Sequence, residues 1–318
     1  MKIFYIYRDY KGRRKKYGEM MEKCGHKVKY LQILEKKVKN QVHIKHIQKH
    51  NPDIVWIYTP YYISRKVISD ETIDYIKSRK IPIVMYSTVD PEHDYREQMD
   101  VWNKIDFLFL HYKPMYKYLK SKGLNVFYSP LGFYPDQYYK TVSSVKKYDV
   151  YFMGTAFRYV APGEDKRTNY LQSLKKYKVG VYGDSFKGKL RGISVKPFRS
   201  HDSQREVYGK TRINLDLPFV DYKHPSYKGQ YHFKNRFFEI PATGNFLLAL
   251  RTPEALEIFP EDTVGYYDDS IESLKENVKK YLKDKDLRKN MAKRAYKIAH
   301  QKHMYIHRFQ EMFKIIEN

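Results

Sequence analysis

Cysteine is nearly absent: Cys24 stands alone in 318 residues, so no internal disulfide framework can form, and a reducing compartment suits the chain. Tryptophan occurs only twice. No apolar run approaches the roughly 20 residues that a membrane-crossing helix needs. The N-terminal "MKIFYIYRDYKGRRKKYG" lacks the order of a signal peptide, because its short apolar stretch precedes its basic cluster. These absences predict a soluble, cytoplasmic protein without a transmembrane segment. No Gly-x-Gly-x-x-Gly follows any apolar strand, which removes the dinucleotide fingerprint. Acidic residues are also scarce, with 36 Asp and Glu against 61 Lys and Arg, a net charge of +25. Such a surface favours an anionic partner, whether a nucleic acid, a charged polymer, an anionic membrane face or phosphorylated substrates. Compositional bias toward Lys and Tyr, the latter numbering 33, is the competing explanation.

What is present is an alternation of strands and helices, twice over. The apolar runs "KIFYIY", "KVKYLQI", "DIVWIY", "IPIVMYS", "DFLFL" and "NVFY" are separated by stretches of helical spacing. Continuously apolar strands between helices predict a parallel sheet covered on both faces. A polar stretch over 138–147 reads as the linker, and the alternation restarts with "YDVYFMG", "KVGVYGD", "RINLDLP", "FLLALR" and "TVGYYD". The expected fold class is therefore α/β, with two doubly wound, Rossmann-like domains. The first covers 1–140 and the second 147–303. A last helix over 304–318 is expected to cross back to the first domain. Asp269 and Glu272 have the spacing of a capping box, and a further helix is expected from Asp286.

The stretch "HFKNRFFEIPATGNFLLAL", 232–250, has the form of a binding element. Asn235 suits an N-cap, Arg236 the first helical position and Gly244 the terminator beyond the helix. A helix start following a strand is where open α/β sheets bind anions, and Lys234 and Arg236 sit there. Glu239 would repel phosphate but would accept hydrogen bonds from a pair of ribose hydroxyls. An ordinary amphipathic helix, with Glu239 complementing its dipole, is the alternative. Two histidine trios, His43/His46/His50 and His300/His303/His307, each share a helical face. Neither has the Cys or carboxylate partners of a tetrahedral site, so both are read as solvated faces. Asp284-Lys285-Asp286 is the one Asp-x-Asp string, and it reads as a charged turn. No metal site is expected.

The run from Lys234 to Phe309 resembles the C-terminal domain of GT-B-fold glycosyltransferases, most closely the spore-maturation-type, CgeB-like group. The elements that carry the resemblance are Asn235, Arg236, Phe238, Glu239, Gly244, Tyr267, Asp269, His303 or His307, and Arg308. Upstream, "DVYFMGT" followed by Arg167, "GVYGD" and "KTRINLDLP" also match. The resemblance covers roughly 105–310. It implies two domains facing across a cleft, with a nucleotide-sugar donor, a UDP-sugar, on the second. Glu239 would hold the ribose, and Arg167, Lys234 and Arg236 would face the diphosphate. Gly154 and Thr155 would offer backbone amides to a phosphate, and Tyr182, Gly183 and Asp184 would lie near the base. The stretch between Gly154 and Arg167 is longer than the group's, so Arg158 could take the role of Arg167. Such an enzyme needs no metal cofactor, because cationic side chains stabilise the departing diphosphate.

A base for the acceptor hydroxyl is expected from the first domain. The loop "STVDPEHDYRE" supplies Asp90, with Asp94 and His93 behind it; loop-capping carboxylates are the alternative. The loop after the first strand carries Arg8, Lys11, Arg13, Arg14, Lys15 and Lys16, which could grip an anionic acceptor such as hydroxymethyl-modified DNA. Acceptors on a cell-surface polysaccharide, teichoic acid or protein, and a non-catalytic nucleic-acid-binding role, are the other readings.

Overall fold

A computed structural model of the chain describes residues 1–7, 15–33, 44–58, 63, 67–87, 99–156, 165–197, 200–220 and 231–318. The chain forms two compact units. The first comprises Met1–Leu131, Val220–His232 and Tyr305–Asn318, and the second Gly132–Phe219 and Phe233–Met304.

The first unit holds six strands, β1 (Lys2–Tyr7), β2 (Lys27–Gln32), β3 (Ile54–Ile57), β4 (Ile83–Ser87), β5 (Phe107–Leu110) and β6 (Val126–Tyr128). They form one sheet in the order β2-β1-β3-β4-β5-β6, every neighbouring pair parallel. Among the described residues the helices between its strands are α1 (Lys15–Lys23), α2 (Ile44–His50), α3 (Asp70–Ser78), α4 (Met99–Trp102) and α5 (Lys113–Ser121). All residues of β3 and β4 are buried, as strands covered on both faces must be. The edge strand β2 instead exposes Lys27 and Lys29, charges that discourage further strand pairing. Ser69 caps α3 by accepting from the Thr72 amide.

The C-terminal helix, Tyr305–Glu317, belongs to this unit and buries Tyr305, Arg308, Phe309, Met312 and Phe313. That spacing makes a single apolar stripe. Phe309 lies 5.5 Å from the Tyr17 ring and 5.6 Å from Trp56, and meets Tyr86 edge-on. Arg308, 4% exposed, donates to the Pro130 carbonyl at 3.1 Å.

The second unit carries β7 (Tyr148–Met153), β8 (Val179–Tyr182), β9 (Ser194–Lys196), β10 (Thr211–Asp216), β13 (Leu247–Leu250) and β14 (Gly265–Tyr267) in one parallel sheet. Between β10 and β13 the short strands β11 (Phe219–Val220) and β12 (Tyr231–His232) pair with each other. The main sheet runs β14-β13-β10-β7-β8-β9. From β7 the chain therefore winds outward to β9, then returns beside β7 as β10 and winds the other way. Its helices are α6 (Lys166–Ser173), α7 (His201–Gly209), α8 (Arg236–Ala242), α9 (Pro253–Ile258), α10 (Ile271–Lys283) and α11 (Lys285–Lys302).

Several local expectations are corrected. The cap of α10 is Ser270, accepting from the Ser273 amide, because the Asp269 carboxylate is held instead by Tyr170 and Lys166. Helix α11 starts under an Asp284 cap, so that residue closes a helix end. Asn235 holds the expected N-cap position before Arg236, but with helical dihedrals and no side-chain cap bond. His300 and His303 are not a solvated face: they donate to the carbonyls of Ala242 and Ile258, tying α11 to the ends of α8 and α9. Strand β9 and helix α4 lie in stretches where no element was expected.

Phe309→Ala would remove a fully buried ring from the Tyr17–Trp56–Tyr86 cluster. A loss of about 3–5 kcal/mol is expected. Urea denaturation measures it, and a change below about 1 kcal/mol would show the helix to be loosely held.

Candidate active site

In an open, doubly wound sheet the ligand crevice lies where the strand order reverses, outside the carboxyl ends of the two strands that flank the reversal. Here those strands are β7 and β10. Strand β7 ends at Met153 and leads into Gly154 and Thr155; β10 ends at Asp216 and leads into Leu217. The side chains that converge on this point come from the starts of α6 and α8.

Arg236, the first residue of α8, places Nε 2.7 Å from Asp216 Oδ1 and donates from Nη2 to the Leu217 carbonyl at 2.8 Å. Arg167 donates from Nε to the same carbonyl at 3.0 Å and from Nη1 to the Thr155 carbonyl at 2.8 Å. Both guanidinium groups lie over the Phe152 ring, at 4.9 Å for Arg236 and 5.7 Å for Arg167. A ring face attracts cations electrostatically, and the attraction strengthens where water is excluded. Both arginines are buried, and Asp216 is 0% exposed. Burial pushes the Asp216 carboxyl above its usual range, while Arg236 and Arg167 pull it back toward the ionised form. Lys234, half-buried, adds its positive field to the same carboxylate.

Arg167 reaches the site because Asp165 caps α6, accepting from the Arg167 and Thr168 amides. At the other end of that interaction network, Tyr267 donates to the Asp216 backbone carbonyl at 3.2 Å. Asp269, two residues on, accepts from Tyr170 and pairs with Lys166 at 2.7 Å. The Tyr-x-Asp element thus fastens β14 to α6 and β10, which carry the arginines and the aspartate.

Glu239 sits in the first turn of α8 and is 4% exposed. Gln204 of α7 donates to its Oε2 at 3.2 Å. With Arg236 three residues earlier on the same helix, a guanidinium and a carboxylate lie within one turn of each other.

The two glycines act through close approach. A Cβ on Gly183 would stand 1.9 Å from the Gly154 carbonyl oxygen. One on Gly154 would meet the Phe152 ring at 2.8 Å and Arg236 Nη1 at 3.5 Å. The Gly154 amide, however, is not turned toward a phosphate, because it donates to the Tyr182 carbonyl as part of the β7–β8 pairing. Tyr182 packs its ring edge against Tyr151, at 5.2 Å. Asp184 is exposed and pairs with Lys187 at 2.9 Å. Gly244 closes the far end of α8 with φ 73°, away from the arginines, so its part is to terminate the helix. In the first unit, Lys15 and Lys16 open α1. Arg8, Lys11, Arg13, Arg14, Asp90, His93, Asp94 and Arg158 lie outside the described residues. Among the described residues no group of three His, Cys, Asp or Glu side chains is arranged to hold a metal.

Sequence reasoning missed Asp216, the Leu217 carbonyl, Gln204 and Tyr138, whose hydroxyl donates to Gln204 at 3.2 Å. Asp216 carried a signal, an acid at the end of an otherwise apolar strand, which is costly unless a cation pairs with it. Gln204 and Tyr138 carried none.

Residues 167–314 match the family described as glycosyl transferase-like, a span that includes Arg167, Asp216, Glu239 and Arg308. No curated protein sequence matches the chain. Among solved structures it is similar to the sucrose-phosphate synthase of Thermosynechococcus elongatus, with TM-score 0.66 and 10% identity, covering 100% of this chain and 98% of that one. It is also similar to HepE of Anabaena in complex with UDP-glucose, with TM-score 0.65, 13% identity and coverage of 100% and 99%. The fold is GT-B. The chain is also similar to a putative UDP-N-acetylglucosamine 2-epimerase of Listeria monocytogenes, with TM-score 0.53, 13% identity and coverage of 94% of each chain. The likeness to solved structures shows the fold, and the match to the glycosyl transferase-like family covers residues 167–314.

Removing Arg236 leaves Asp216 buried with its nearest cation gone. Arg236→Ala should cost about 3–5 kcal/mol, and Asp216→Asn in the same chain should recover part of it. Urea titrations of the single and double variants check this; additive losses would show that the pair is not coupled.

Proposed function

We propose that the protein is a glycosyltransferase of the GT-B type that moves a sugar from a UDP-sugar to a hydroxyl acceptor without a metal. The observation that supports it best is the pair Arg167 and Arg236 meeting on the Leu217 carbonyl at the strand reversal, with the buried Glu239 one helical turn beyond Arg236. In this reading the guanidinium groups and Lys234 face the diphosphate and Glu239 accepts the ribose hydroxyls. The acceptor oxygen forms its bond to the anomeric carbon while the bond from that carbon to the diphosphate oxygen breaks. Negative charge grows on the leaving diphosphate, where fixed cations in a low-dielectric setting are most effective. The order Asn235-Arg236-x-Phe238-Glu239 supports the CgeB-like group within these enzymes. UDP-glucose in the similar HepE supports uracil as the base.

The base for the acceptor hydroxyl is assigned on sequence alone to Asp90, with Asp94 and His93 supporting it. The acceptor is assigned on charge: a net +25, with Arg8, Lys11, Arg13, Arg14, Lys15 and Lys16 clustered after β1, suits an anionic polymer, of which hydroxymethylated DNA is one example.

Two experiments test this. UDP should raise the melting temperature, and Glu239→Ala should weaken UDP binding by calorimetry. UDP-sugar hydrolysis should continue in EDTA, and Arg167→Ala should slow it about 10²- to 10³-fold while uridine binding persists. Absence of UDP binding, or loss of activity to chelator with rescue by magnesium or manganese, would refute the donor reading.

For the acceptor, DNA affinity followed by anisotropy should fall linearly in log–log form with salt, by about 0.9 per phosphate contacted. Neutralising Arg13, Arg14, Lys15 and Lys16 together should flatten the slope and leave donor hydrolysis unchanged. An unchanged slope would make the charge compositional and direct attention to a glycan, teichoic acid or protein acceptor.

A further inference from the structure

Behind Glu239 lies a chain of buried polar side chains that donor binding and charge stabilisation do not require. Gln204 of α7, 1% exposed, donates from Nε2 to Glu239 Oε2 at 3.2 Å and gives its other amide hydrogen to the Tyr208 hydroxyl. Its Oε1 accepts from the Tyr138 hydroxyl at 3.2 Å. The Tyr138 oxygen in turn lies 2.8 Å from His201 Nδ1, and Tyr138 is 1% exposed.

The directions of these bonds follow from proton counting. An amide oxygen only accepts, and a tyrosine hydroxyl has one hydrogen. Tyr138 spends that hydrogen on Gln204, so it must accept from His201, whose Nδ1 therefore carries a proton. The amide cannot be turned over, because its oxygen would then oppose the Glu239 carboxylate and its NH₂ would lose that acceptor. Every donor in the series His201, Tyr138, Gln204 consequently points toward Glu239. Hydrogen bonds aligned in this way polarise one another, and the final one falls on an ionised acceptor, where such bonds are strongest. The series also joins three separate parts of the chain: the segment before β7, helix α7 and helix α8.

We propose that Gln204 and Tyr138 are positioning residues that fix the plane of the Glu239 carboxylate for two ribose hydroxyls, and so set discrimination between ribonucleotides and 2′-deoxyribonucleotides. The proposal rests on the reading of Glu239 as the ribose acceptor. A glutamate free to rotate would keep a single bond to the 3′-hydroxyl of a deoxynucleotide as well as it keeps one to a ribonucleotide. A carboxylate held in one plane gains from both hydroxyls only when both are present. The site then prefers ribose by the full worth of the second bond, about tenfold in affinity.

The test is the ratio of dissociation constants for 2′-deoxy-UDP and UDP, by calorimetry, in the wild type and in Tyr138→Phe, Gln204→Leu and Glu239→Ala. The wild type should prefer UDP by about tenfold. Tyr138→Phe removes one hydroxyl and nothing of the fold's shape; it should bring the ratio to about threefold or less, at half or less of a full hydrogen bond's effect. Gln204→Leu should bring it near unity, and the affinity gap between UDP and UMP should stay as in the wild type. A purely structural role would lower the melting temperature and leave the ratio intact, and folded variants that keep the wild-type ratio overturn the proposal. If the wild type discriminates and Glu239→Ala abolishes this while the other two do not, the ribose reading stands and the positioning chain alone is refuted. If the wild type binds neither nucleotide, or binds both equally, both are refuted.

Discussion

Two guanidinium groups, from Arg167 and Arg236, donate to one backbone carbonyl, that of Leu217, and rest on one ring, that of Phe152. Holding like charges this close inside a protein is unfavourable unless a carboxylate and fixed dipoles oppose the repulsion. Asp216, buried at the end of β10, supplies the carboxylate at 2.7 Å from Arg236. Much else in the second unit follows from this arrangement. The strand order must reverse between β7 and β10 so that Phe152 and Asp216 come side by side. Helices α6 and α8 must both begin at the same edge. Gly183 must lack a side chain because a Cβ there would strike the Gly154 carbonyl oxygen, and Gly154 because a Cβ there would meet the Phe152 ring.

The first unit obeys a simpler constraint. Its sheet is covered on both faces, and part of that cover comes from the far end of the chain. Phe309 and Phe313 lie on Trp56, at 5.6 and 5.8 Å, and Arg308 fastens the helix to the Pro130 carbonyl. The aromatic cluster formed by Tyr17, Tyr86, Tyr305 and Phe309 gives part of the tyrosine-rich composition a structural use.

Most of this architecture was legible in the residues. Strands such as Ile54–Ile57 and Ile83–Ser87 are apolar at every position, which only a doubly covered sheet explains. The helix starting at Arg236 and ending before Gly244 was legible from its terminator and its charges. Elements of three or four residues, β9 and α4, were not, because so few positions show no period. Asn235 does stand at the N-cap position before Arg236, but its helical backbone leaves its side chain without a cap bond. The Gly154 amide failed as a phosphate donor because strand pairing with Tyr182 claims it. Gln204 and Tyr138 stand 35 and 101 residues from Glu239, and no local pattern announces a contact made only by folding.

The central claim is that the diphosphate of a nucleotide-sugar lies at the strand reversal of the second unit. A crystal structure of the protein with UDP tests it most directly. The account predicts the diphosphate oxygens within hydrogen-bond distance of Arg167 or Arg236, with the ribose hydroxyls on Glu239. A diphosphate bound away from both arginines would contradict it.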